Sequence, residues 1–87
     1  MLRKGDFVKT GVSNYPCVVV STDHNRYLLS IREYRGDYAS VNTNSNTIEP
    51  VCLTNYEKLS EIGKFGGWWI DTHKDIFIKV LLQILNT

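Results

Sequence analysis

Several kinds of signal are missing from this sequence, and each absence narrows what the chain can do. No catalytic, metal-ligating or phosphate-binding signature stands out, so no enzyme class follows from motifs. A charge excess is missing as well: ten Lys and Arg against nine Asp and Glu leave +1. That field is too weak to attract DNA or an anionic membrane without a local patch. The opening run Met1-Leu2-Arg3-Lys4-Gly5-Asp6 has no apolar signal-peptide core, so a cytoplasmic location is expected and a membrane is not. Cysteine is scarce. Cys17 and Cys52 lie in or beside apolar runs without close spacing, and both are expected as small buried hydrophobes in a reducing compartment. Cys17, His24, Cys52 and His73 show none of the short ligand spacings of structural zinc sites, so neither metal nor other cofactor is expected. Asp23-His24, and Asp71 with His73, pair an acid with an imidazole, but no nucleophile or oxyanion site accompanies them. A capping Asp beside a surface His explains each pair, and a non-enzymatic protein is expected.

What is present has a strand cadence. With 87 residues there is room for one domain spanning 1–87, with a modest core. Apolar runs of strand length are cut by turn signals at Asp6–Thr10, Cys17–Thr22, Arg26–Glu33, Tyr38–Val41 and Ile48–Val51. The β-branched run Val18-Val19-Val20 suits a central strand covered on both faces. Tyr27, Leu29 and Ile31 alternate with Leu28, Ser30 and Arg32, which predicts two differently facing sides. Asn42–Thr47 reads as a polar loop. Five short strands within 1–53 predict a meander that curls into a small antiparallel β-barrel.

Over 54–87 the period changes to a helical one. Thr54-Asn55-Tyr56-Glu57 fits a capping box, in which the Thr hydroxyl accepts from the third amide and the Glu reaches back. Tyr56, Leu59 and Ile62 are then expected on one face, with Gly63 ending a short helix. A longer helix is expected from Asp71 or Thr72 to about Asn86. Its polar residues Thr72, Asp75, Lys79, Gln83 and Asn86 form one narrow stripe, and apolar residues occupy nearly all the rest. One small barrel cannot cover so much apolar surface. The fold class is therefore α+β, a five-stranded barrel followed by one short and one longer helix.

Two constellations carry candidate binding residues. Arg26, Arg32, Tyr34 and Arg35 interleave guanidinium groups with rings, a combination that pairs phosphates and stacks unpaired bases. The same residues also fit cross-strand tyrosines flanked by solvated arginines, with Glu33 and Asp37 diluting the charge. Arg35-Gly36-Asp37 reads as a hairpin turn. Gly66-Gly67-Trp68-Trp69 places two indoles side by side, and in an extended segment they leave on opposite faces. Either both rings cap the open end of the barrel or one is exposed as an interface residue. Trp68 and Trp69, with Phe65 and Phe77, are the candidate partner-binding residues.

Two resemblances add to this reading. Lys4-Gly5-Asp6-Phe7-Val8-Lys9 resembles the first strand of SH3-like barrels of the KOW type. Ile48-Glu49-Pro50-Val51-Cys52-Leu53-Thr54, with Leu59 and Gly63-Lys64-Phe65 after it, resembles small phage and prophage proteins of the Bacteroidota, where a similar stretch closes a barrel and leads into a helix. Cys52 stands where that pattern has a second Pro, and Asn55 where it has an acid. The resemblance implies an accessory protein of a mobile element. The expected function is an interaction protein, an inhibitor of a host defence system of the anti-CRISPR kind, bound to a host protein or ribonucleoprotein. An RNA-binding or transcription-associated KOW-type module is the alternative. A third expectation is a structural homo-oligomer joined through the last helix.

Overall fold

A strand with three consecutive β-branched residues needs cover on both faces, and Val18-Val19-Val20 receives it. In the computed structural model, which describes residues 2–32 and 38–86, these valines lie in β2 (Cys17–Asp23), the middle strand of a five-stranded antiparallel sheet. The other strands are β1 (Phe7–Thr10), β3 (Arg26–Arg32), β4 (Tyr38–Asn44) and β5 (Ile48–Pro50). Their order is β4-β3-β2-β1-β5, so β1 to β4 form a meander and β5 returns to β1, with Val8 opposite Pro50 and Thr10 opposite Ile48. The sheet is not closed, because β4 and β5 are its edges. β5 has three residues and ends in a proline without a backbone donor, which leaves little chain to complete a ring.

Alternation along the strands sorts side chains into two clusters. On one side Val8, Cys17, Val19, Tyr27, Leu29, Ile31 and Ile48 are buried together, with Leu2 packed against them and no helical residue among them. On the other side Phe7, Val18 and Val20 pack with residues from the helices. A bulge shifts the β2–β3 register between Val19 and Ser21. Such an extra residue increases local twist and bend. The β2–β3 connection is a two-residue loop, His24–Asn25, between the paired Asp23 and Arg26, and His24 takes a left-handed φ of 53°. β4 runs past the expected Val41, since Asn42, Thr43 and Asn44 pair with Leu28, Tyr27 and Arg26. Backbone groups make that ladder, so polar side chains at an edge do not interrupt it. Only Ser45–Thr47 remain as a single 3₁₀ turn.

Three helices follow, where two were expected. α1 (Asn55–Phe65) begins at the expected capping box: Glu57 N donates to Thr54 Oγ1 at 3.1 Å, and Thr54 N donates to Glu57 Oε1 at 3.0 Å. The Thr54 backbone amide foremost, and the Thr54 hydroxyl after it, hold the Glu57 carboxyl below the usual range. The helix does not stop at Gly63. It continues to Phe65 and ends at Gly66, whose φ of 86° reverses the chain. Burial of Phe65 is the physical reason, since its ring joins the core and stacks on Trp69 with centroids 4.8 Å apart. Ile62 faces inward as expected, but Tyr56 and Leu59 are exposed. Steps of three residues drift around the helix by some 60° at about 100° per residue, so these three positions cannot all share the buried side. α2 (Gly67–Thr72) occupies the segment expected to be extended, and α3 (Lys74–Leu85) follows a break at His73.

Candidate functional site

Trp68 and Trp69 are neighbours on α2, and a helical step of about 100° is enough to send one inward and the other outward. Trp69 is fully buried, whereas Trp68 is 75% exposed. The buried indole meets its hydrogen-bonding need inside the protein: Nε1 donates to Ser30 Oγ at 2.8 Å, and Ser30 is itself fully buried. Ser30 lies opposite Val18 in the sheet, so this bond ties α2 to β3. The His73 ring lies against the same indole, with centroids 5.2 Å apart.

The four candidate contact residues therefore part company. Phe65 and Trp69 belong to the core and present no ring to a partner. Phe77 is partly buried against the same core. Trp68 is the one that reaches solvent.

More exposed apolar surface comes from α3. Ile76 and Val80 point inward and are 1% exposed, while Ile78, Leu82 and Leu85 are 54%, 51% and 76% exposed. The last three recur at i, i+4 and i+7, one face of a helix, and half-buried Leu81 lies beside them. The position of the polar stripe explains this inversion. Gln83 is half-buried, and Lys79 beside it is exposed. They abut the N-terminal turn, where a Cβ on Gly5 would stand 3.5 Å from Lys79 Cβ and 3.6 Å from Gln83 Nε2. Lys58 Nζ of α1 donates to Gln83 Oε1 at 3.4 Å on the same side. With Lys79 and Gln83 of the polar stripe beside the N-terminal turn, the apolar residues of α3 are divided between the core and the outer surface. The sequence showed too many apolar positions on this helix, but nothing in it located that contact. Tyr56 and Leu59 on α1 were likewise missed as exposed residues, because their spacing resembles that of a buried face.

Of the proposed nucleic-acid residues, Arg26 is exposed beside the β2–β3 loop. Tyr34 and Arg35, with Glu33, Gly36 and Asp37, lie outside the described residues, as does the Arg32 side chain. The two cysteines differ from each other. Cys17 is buried and Cys52 is exposed, which corrects the expectation that both are core residues. Cys52 lies in the extended connection before α1, beyond the end of β5. Burial pushes the Cys17 thiol up from its ordinary range, partly opposed by the Ser13 side chain.

Among the described residues no three His, Cys, Asp or Glu side chains converge to hold a metal. His24 Nε2 and Asp23 Oδ1 lie 3.6 Å apart, both almost wholly exposed, a setting in which an ion pair contributes little. No helix among the described residues is long and apolar enough to cross a membrane. The chain matches no protein-family model, no curated protein and no solved structure.

Proposed function

We propose that this chain is a non-enzymatic interaction protein that acts by occupying a surface of a macromolecular partner. One observation carries the reading: α3 is apolar on two opposite sides, and Ile78, Leu82 and Leu85 stand in solvent although the core has already taken Ile76 and Val80. Side chains of this size on one helical face have a cost in water that contact with a partner removes. Trp68 adds an exposed residue of a type that often dominates binding energy. The strand order, with β1 between β2 and β5, supports reading the sheet as an open variant of the SH3-like arrangement. In its sharper form, motivated by the phage resemblance, the partner is a host defence protein or ribonucleoprotein whose activity is blocked.

The test is affinity capture from host lysate with and without nuclease, alongside a defence-interference assay, using wild type and Ile78→Glu/Leu85→Glu. Circular dichroism of the variant guards against misfolding. Capture of a defined protein and relief of interference, both lost in the folded variant, are expected. Unchanged capture in the variant would remove α3 from the interface. A dimer of the pure protein that the same variant dissociates would make a second copy the partner.

A further inference from the structure

On the side of α3 occupied by its polar stripe, the N-terminal turn, α1 and α3 enclose an open cleft of about 640 Å³. Arg3, Lys4, Lys58 and Lys79 all line it, and among the described residues Asp6 is the one acidic side chain there. The whole chain carries +1, yet this one cleft gathers four of the ten basic residues and one of the nine acids. None of the four cations is ion-paired among the described residues. Asp6 offsets one of these charges, and its Oδ2 accepts from the Arg3 backbone N at 2.8 Å and so closes the turn.

Backbone bonds fix the turn that carries two of the cations, Arg3 and Lys4, both exposed. Asp6 N donates to Arg3 O at 3.1 Å, Gly5 N donates to Val19 O at 2.8 Å, and Gly5 has the φ of +90° that this kind of turn requires at its third residue. On the facing wall, Lys58 is half-buried and oriented by its bond to Gln83 Oε1. Positions 3, 4, 58 and 79 come to line one cleft only because the chain folds, and an anion that enters it meets an excess of positive charge.

We propose that this cleft is a binding site for a small oligophosphate, a ligand carrying two or more adjacent phosphate groups. An excess of three positive charges calls for several negative charges close together, which one carboxylate does not supply. Arginine offers a planar fork to phosphate oxygens and lysine a point charge. The volume lies in the range of small-ligand pockets, and Leu82 gives the wall an apolar patch. Among the described residues no aromatic ring lines the cleft, and single-stranded nucleic acid is commonly held by such stacking platforms. The site is separate from the outer apolar face of α3 except at Leu82, and it does not depend on the proposed protein partner.

The probe is inorganic tripolyphosphate, titrated by calorimetry at low ionic strength. One saturable site is expected, weakened about tenfold or more in Lys58→Gln/Lys79→Gln and weakened by added salt. Lys9→Gln, on β1 away from the cleft, and Ile78→Glu/Leu85→Glu are expected to bind within about twofold of wild type. Thermal melts establish that each variant is folded. Absence of saturable binding, or equal affinity in the lysine double variant, overturns the proposal. Tighter binding of a short oligouridylate than of ATP or tripolyphosphate at equal phosphate concentration overturns the small-molecule occupant. Loss of binding in Ile78→Glu/Leu85→Glu alone would also overturn it, by placing the site on the other face.

Discussion

The inner side of the helical layer buries Trp69, Ile76 and Val80 against the sheet, whereas its outer side leaves Trp68, Ile78, Leu82 and Leu85 largely in solvent. The two sets are equally apolar, so hydropathy did not choose between them. Geometry did. Gly66 turns the chain with a φ that side chains resist, α2 presents one indole to Ser30, and Gln83 of α3 is held between Lys58 and the N-terminal turn. Apolar residues that share a helix can therefore pack in the core or stand in solvent, depending on a rotation of about 100° per residue.

Replacing the two tryptophans in turn gives the sharpest contrast. Trp69→Ala removes a fully buried ring and is expected to cost about 3–5 kcal/mol, read as a lowered midpoint in urea. Trp68→Ala is expected to change stability by no more than about 0.5 kcal/mol. Equal losses in both would erase the distinction between the two sides. Ser30→Ala tests the same contrast from the sheet, since it leaves the Trp69 Nε1–H buried without its acceptor. A loss of about 1–3 kcal/mol is expected, and a change below the error of the unfolding curve would show that this bond does not tie the layers. The smallest expected effect has the opposite sign. Gly63 lies inside α1, and a Cβ there meets nothing within 4 Å. Gly63→Ala is therefore expected to add about 0.5–1 kcal/mol, seen as a higher melting temperature.

Much of the sheet was legible in the sequence because its signals are local. The valine run marked β2 as central, and the Tyr27-Leu29-Ile31 alternation marked one buried side of β3. Thr54 and Glu57 announced the start of α1 within four residues. The misread elements share a physical cause, which is that distant contacts override local propensity. Gly63 looked like a stop signal, but burial of Phe65 carried the helix beyond it. Ser30 looked like a polar-face residue, yet the Trp69 indole 39 positions away makes it a core residue. Cys52 looked buried beside its apolar neighbours, but it lies past the end of β5 and is exposed.

The candidate sites were less legible than the fold. Arg3, Lys4, Lys58 and Lys79 have no spacing that groups them, and they meet only where the N-terminal turn crosses α3. Adjacent tryptophans could be recognised as unable to share one core, but which one is buried depended on where Ser30 lay.

By itself, then, the sequence determined an α+β chain with five strands, a central β2, a capped α1 and a last helix too apolar for its own core. These follow from side-chain period, branching and turn chemistry over a few residues. Only the tertiary structure decided that the sheet stays open, that α2 separates the tryptophans, and that Lys79, Gln83 and Asn86 of α3 line a basic cleft while Ile76 and Val80 turn inward and Ile78, Leu82 and Leu85 outward. Those outcomes depend on contacts between residues far apart in the chain, which no local pattern encodes.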